Sequence, residues 1–373
     1  MLRRSTAIAI ISGAAVLAGT SVAAGFGTFK PAQTKTMAGL VYQVAVGDVN
    51  GDGRGDVVAA NGESTDDHVQ ILIAKRGGGF RAPKQLVAGD DPDGVAIGRL
   101  NGDRRPDIAV GNYADDAVSV FMQRRNGSFR KTPDLPGGPG NWQIAIADLN
   151  RDGYGDIVTS NYDNVGPDDA ISVHLGKAKG FRLVTSYPGG DEGRGLDLAR
   201  VNGDKRPDVV AVTGDGVVSP YLTRANGTMR VGETAELGAA NSYSPIALGD
   251  FTGEGRVDAV VADYGSDALT FLRGNGEGRF AIGLVPLPAV PGVWGVAAGN
   301  LNGRGGPDLS VNLYDDEQMQ VLRGVGDGEF KPGRKYAMSD SPESITVGRV
   351  GKDRGTDVVV GTDTSADIFI NKP

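Results

Sequence analysis

Residues 44–58 read VAVGDVNGDGRGDVV: a short apolar run, a turn of Gly, Asn and Asp, then a second apolar run. The pattern returns without a gap at residues 95–109 (VAIGRLNGDRRPDIA), 144–158 (IAIADLNRDGYGDIV) and 196–210 (LDLARVNGDKRPDVV). It returns again at 246–260 (IALGDFTGEGRVDAV), 296–310 (VAAGNLNGRGGPDLS) and 345–359 (ITVGRVGKDRGTDVV). The residue that opens the turn falls at 48, 99, 148, 200, 250, 300 and 349, a period near fifty.

Outward from each turn the pattern stays β. An alternating run such as Val69-Gln70-Ile71-Leu72-Ile73 follows, then a fourth run after a Gly-Phe-type signal, as at Gly79-Phe80, Ser128-Phe129, Gly180-Phe181, Arg279-Phe280 and Glu329-Phe330. Four short strands per unit, in seven units, predict an all-β fold: a seven-bladed β-propeller of four-stranded antiparallel blades. The calcium β-roll, another Gly- and Asp-rich repeat, needs a nine-residue period and is excluded. The last unit ends on its third strand near residues 366–371, while residues 25–38 resemble the fourth-strand segment that begins at Asn126. The N-terminal segment is therefore expected to pair into the last blade and close the ring.

Arg3 and Arg4, an apolar run over residues 7–18 and the small residues Ser21, Val22, Ala23 and Ala24 read as a secretory signal peptide over 1–24. The apolar run is shorter than the ~20 residues needed to span a bilayer. A secreted propeller over 25–373, with no membrane attachment after cleavage and monomeric, is the expectation. The chain has no Cys and 2 His, which removes thiolate chemistry, disulfides and multi-His metal sites. Its formal charge is −8, with basic residues scattered singly along the chain, so neither nucleic acid nor an anionic membrane is expected as a partner.

The units resemble the FG-GAP/VCBS repeats of bacterial secreted proteins and are similar to those of the integrin α head. The motifs N-Y-x-x-D, as in Asn112-Tyr113-Ala114-Asp115-Asp116, and G-x-G-x-F, within residues 274–280, carry the resemblance along with the acidic turn. It implies a calcium-dependent adhesion or recognition module and names no ligand.

In the first unit Asp48, Asn50, Asp52 and Asp56 stand at turn positions 1, 3, 5 and 9, with Gly53 at 6 and the carbonyl of Arg54 at 7. That is the oxygen-ligand spacing of a calcium loop. Asp148, Asn150, Asp152, Asp156 and the carbonyl of Tyr154 repeat it in the third unit. Asp250, Thr252, Glu254 and Asp258 form a third, weaker set, because Glu is one methylene longer and Thr a poorer ligand. In the second and fourth units Arg99 and Arg200 replace the first Asp, and their guanidinium groups are expected to pair with the remaining carboxylates. A tight Asx hairpin without metal is the alternative at every turn.

Six residues before each turn stand Tyr42, Asp93, Trp142, Arg194, Ser244 (after Tyr243), Trp294 and Glu343, so both Trp share one position at the start of the innermost strand. These side chains are expected to ring the mouth of the central channel. Tyr113, Tyr162, Tyr264 and Tyr314, with Asp115, Asp163, Asp267 and Asp315, lie on second-turn loops of the same face. Aromatic rings beside carboxylates suit a glycan or a protein loop, and equally suit packing between blades. The function expected is non-catalytic recognition; the competing class is a polysaccharide lyase or hydrolase using acids on the aromatic face. No catalytic motif is present, and His174 aligns with packing residues of the other units.

Overall fold

The computed structural model describes residues 28–62, 67–163, 169–238, 243–283, 285, 287–352 and 355–372. The side chains of Leu183, Val184, Tyr243, Ser244 and Lys372 lie outside that set, as do the expected signal segment and Asp353. Among the described residues there is no helix.

Seven antiparallel sheets follow one another along the chain: four hold four consecutive strands, two hold five because the outermost strand is split in two, and the last joins three consecutive strands to one from the start of the chain. Their innermost strands are Leu40–Gly47, Pro92–Gly98, Asn141–Ala147, Gly193–Ala199, Tyr243–Gly249, Val293–Gly299 and Pro342–Gly348. Each innermost strand touches that of the next sheet, and the seventh touches the first, so the sheets are blades of a closed ring. The seventh blade takes its outermost strand from the other end of the chain. Gln33–Thr36 pairs antiparallel with Ser365–Phe369, and Thr28–Phe29 with Asn371–Lys372.

The second strand of every blade is buried from end to end, from Asp56–Gly62 in the first to Asp357–Thr362 in the seventh. Each is covered on both faces by neighbouring blades, which is why runs such as Asp56-Val57-Val58-Ala59 are continuously apolar after the first residue. The core is divided accordingly. Among the described residues there are seven apolar clusters, each bridging one pair of adjacent blades: Val58 and Val95 between the first and second, for example, and Val44 and Val359 between the seventh and first. A fully buried Val contributes roughly 1.5–3 kcal/mol, so the ring is held by interfaces rather than by one centre.

One irregularity recurs in all seven blades. Pairing between the first and second strands slips at the start of the innermost strand: at Leu40/Gln43, Pro92/Gly94, Asn141/Ile144, Gly193/Gly195, Tyr243/Ile246, Val293/Gly295 and Pro342/Ser344. A β-bulge leaves its extra residue out of the ladder and re-aims the side chain. The residues left out include Tyr42, Asp93, Trp142, Arg194, Ser244, Trp294 and Glu343.

Candidate functional site

The bulges build the aromatic face. Tyr42, Trp142, Arg194, Trp294 and Glu343 line one cavity at the channel mouth, together with Gln43, Gln143 and Ser344. The cavity holds about 90 Å³. Ligand pockets run to several hundred Å³, so a ligand here rests on the rim rather than inside the channel. Asp93 departs from the ring, since it is buried against the first blade. Tyr243 opens its strand, and its side chain lies outside the described residues.

Two equivalent clusters stand out on this face. In one, the Trp142 ring lies 5.1 Å from Tyr42, 6.3 Å from Tyr113 and 5.2 Å from Tyr162. In the other, Trp294 lies 5.4 Å from both Tyr264 and Tyr314. Each Trp comes from a bulge and sits between the second-turn Tyr of its own blade and that of the blade before. The phenols are oriented by the next blade: Tyr113 Oη donates to Asp163 Oδ1 at 2.8 Å, and Tyr264 Oη to Asp315 Oδ1 at 3.2 Å. Burial, followed by the charge of Asp315, raises the Tyr264 phenol above its ordinary pKa and keeps it a donor.

The backbone beneath is also duplicated. Gly140 N donates to Asp116 Oδ1 and Gly292 N to Asp267 Oδ1, both at 2.7 Å. Both glycines have positive φ, and a Cβ on either would press on Asp163 or Asp315. The signal for this was in the chain as Pro139-Gly140-Asn141-Trp142 and Pro291-Gly292-Val293-Trp294, a pairing that the fifty-residue alignment passes over. Arg194 adds a cation to the first cluster. Its Cζ lies 4.8 Å over the Tyr162 ring, and its Nη2 bonds Tyr162 Oη at 3.1 Å and Glu192 Oε2 at 2.8 Å.

The acidic turns occupy the opposite face. Their ninth-position carboxylates do one job in all seven blades. Asp56, Asp107, Asp156, Asp208, Asp258, Asp308 and Asp357 are buried. One oxygen of each accepts a backbone N–H from the turn, as from Val49 to Asp56 at 3.2 Å, and the other accepts one at the end of the third strand, as from Ala74 at 2.8 Å. Because the arrangement is identical where the rest of the turn is acidic and where it is not, these bonds account for Asp56, Asp156 and Asp258 without a metal. Burial raises the group to about 6 in Asp56 and Asp107 and to about 7 in Asp156.

The remaining turn residues separate the three expected calcium sets. Asp48 accepts from the N–H groups of Gly51, Asp52 and Gly53 at 2.8, 3.0 and 2.6 Å, while the Arg54 guanidinium grips Asp52. Asp250 does the same for Gly253, Glu254 and Gly255, and Glu254 is held by Arg256 and Arg273. Asn50 bonds Asp56 at 3.0 Å, and Thr252 bonds Asp258 at 3.0 Å. These two sets already contain a fixed positive charge and fit a cation poorly. In the third blade Tyr154 stands where Arg would be, and Asp152 meets Asn150 Nδ2 at 3.0 Å instead. Asp148 accepts the N–H groups of Asp152 and Gly153, both at 2.9 Å, much as Asp48 and Asp250 accept theirs, so what separates this set is that no guanidinium meets Asp148, Asn150, Asp152 or the Tyr154 carbonyl, oxygen donors of the kind a hard cation takes. Among the described residues no three acidic or imidazole side chains are already gathered as a metal cluster.

Two expectations are corrected. The guanidinium that meets the acid of the second and fourth turns is not that of Arg99 or Arg200. Arg105 pairs with Asp103 and Arg206 with Asp204, each also donating Nε to a third-strand carbonyl, Gln123 at 3.1 Å or Thr223 at 2.9 Å. The seventh position lies beside the strand end and reaches both groups at once. The basic side chains, scattered in sequence, are also gathered in space between the second and third blades. His174 is buried in the third strand of its blade, paired with Ile157 and Leu183, as a packing residue.

A family model described as an FG-GAP-like repeat matches residues 48–110, 99–159, 200–261 and 250–311, together more than half of the chain. No curated protein sequence matches it significantly. Among solved structures, BBS1N in complex with ARL6DN is similar at TM-score 0.64 and 13% identity, covering 93% of this chain and 98% of that one. The BP39L lectin from Burkholderia pseudomallei gives 0.64 and 16%, covering 89% and 96%. Kuenenia stuttgartiensis hydrazine synthase gives 0.61 and 14%, covering 91% and 97%. At these identities the likeness speaks for the propeller fold alone.

Proposed function

This chain belongs to the FG-GAP-like repeat family, and from that premise we propose that it is a secreted, non-catalytic recognition module whose aromatic face binds a glycan. The observation that carries the reading is the pair of equivalent clusters, Tyr113–Trp142–Tyr162 and Tyr264–Trp294–Tyr314. Half-buried rings at the rim of a narrow channel, each beside a carboxylate, supply apolar area for a sugar face and acceptors for its hydroxyls. Rings fixed by hydrogen bonds lose little entropy on binding. A lectin is among the propellers of similar fold, which is compatible with this reading and adds no ligand to it.

Calcium belongs to the proposal through the third blade, with Asp148, Asn150, Asp152 and the Tyr154 carbonyl as its holders. Bound there, it would supply structural cross-linking of the turn on the face away from the glycan. Secretion rests on the basic and apolar composition of residues 1–24, and release from the membrane on the absence of a Cys for lipid attachment.

The test is retention of the full mature chain on a glycan panel, with Trp142→Ala/Trp294→Ala as comparison. Retention without release of soluble product, lost in the double variant at an unchanged melting temperature, supports the reading. Retention that survives the double variant overturns it.

A further inference from the structure

The second and third blades enclose a groove of about 440 Å³ on the acidic-turn face. Its walls carry Arg105, Arg124, Arg125, Arg130, Lys177 and Lys179. The single carboxylate lining it is Asp103, already paired with Arg105. The other five cations are exposed and enter none of the ion pairs formed among the described residues. The chain as a whole is acidic, so this concentration of positive charge does not follow from composition. Gathering like charges raises the energy of the free protein, and an anion in the groove offsets it.

The molecule contains its own comparison. Between the fourth and fifth blades an equivalent groove of about 420 Å³ is lined by Arg206, Arg224 and Arg230, the counterparts of Arg105, Arg124 and Arg130. There Ala225 replaces Arg125, and Glu277 takes the place of Lys179. The scaffold of three Arg is common to both, and the remaining positions set how positive the groove is: six cations to one acid between the second and third blades, three cations to two acids between the fourth and fifth.

We propose that the groove between the second and third blades binds a polyanionic polysaccharide, its sulfate or carboxylate groups held by the Arg and Lys on the two walls. Arg meets such groups with a planar fork of donors. The groove is far larger than one inorganic anion needs, and the cations stand on both walls, as a chain with repeated charges requires. Single-stranded nucleic acid fits less well, because no aromatic ring lines the groove for bases to stack on. The site is distinct from the aromatic face and does not depend on it.

The experiment measures binding of the full mature chain to dextran sulfate and to polygalacturonate, with neutral dextran and a single-stranded oligonucleotide as comparisons. Binding to at least one charged polysaccharide is expected, weakening with added salt. Which of the two binds identifies sulfate or carboxylate as the group recognised. The exposed double variant Lys177→Glu/Lys179→Glu should lose about tenfold or more in affinity at an unchanged melting temperature. Glu277→Lys should add binding at the second groove. Full affinity in Lys177→Glu/Lys179→Glu, competition by inorganic sulfate as effective as by the polymer, or tighter binding of the oligonucleotide would each overturn the proposal.

Discussion

The phenol of Tyr113 donates a 2.8 Å hydrogen bond to Asp163 across the seam between the second and third blades. Tyr264 and Asp315 repeat the relationship three blades on. Tyr113 and Tyr264 are therefore each positioned by the next blade rather than by their own loop, and the two clusters should act as two separate sites. Calorimetry with a short oligosaccharide is expected to give two equivalents bound per chain. Trp142→Ala or Trp294→Ala alone should leave one, and a single variant that abolishes both would show that the clusters are not independent.

The ninth-position Asp ties each turn to the end of the third strand through two backbone N–H groups, whatever the other turn residues are. Asp107→Asn and Asp156→Asn should each destabilise the fold by about 2–4 kcal/mol in chelator, since a donor then faces an amide N–H. Urea unfolding measures this. A cost at Asp156 seen only with calcium present would mean that metal binding, not the strand amides, is its main role.

On the proposed calcium reading, the residue at position seven is what separates the third turn, with Tyr154, from the first and fifth, with Arg54 and Arg256. One calcium ion per chain is expected, in the third blade, and Tyr154→Arg should abolish it by placing a guanidinium on Asp152, as Arg54 is placed on Asp52. Arg54→Gln should create a second site in the first blade. Bound calcium counted after gel filtration checks both, and two ions in the unaltered chain would contradict the ordering.

Asp197 lies between the innermost strands of the fourth and fifth blades, where its oxygens accept from Leu198 N at 2.7 Å and Leu248 N at 2.9 Å. Burial outweighs those bonds and raises it to about 6 from an ordinary 3.8. A carboxylate whose pKa is raised on folding favours the folded state most below its unfolded pKa, and that contribution fades as pH rises through the folded value. Asp197→Asn should therefore flatten the dependence of stability on pH between about 4 and 6. An unchanged slope in melts across that range would place the titration elsewhere.

The architecture was legible because the repeat is. Seven gapless copies of one strand-turn-strand pattern fix blade number and strand order, and alignment alone placed both Trp at one structural position. The bulge that turns Trp142 and Trp294 outward was not legible, since it is a slip in pairing and leaves no residue type as its mark. Spacing also could not tell a carboxylate that faces a cation from one that faces backbone. Asp52 and Asp56 look alike in the motif, yet one lies under a guanidinium and the other is buried on two amides. The cationic groove was hidden for a similar reason: Arg130 and Lys179 lie on different blades and meet only in the ring.

Both Trp of the chain lie in the two clusters, so intrinsic fluorescence reads the proposed glycan site and little else. The most direct measurement is a fluorescence titration with a glycan retained on the panel, on the unaltered chain and on Trp142→Phe and Trp294→Phe. A saturable emission change that matches the calorimetric binding curve, with about half of it lost in each variant, is the expected result. Calorimetric binding with no change in emission would put the ligand away from the aromatic face and contradict the account.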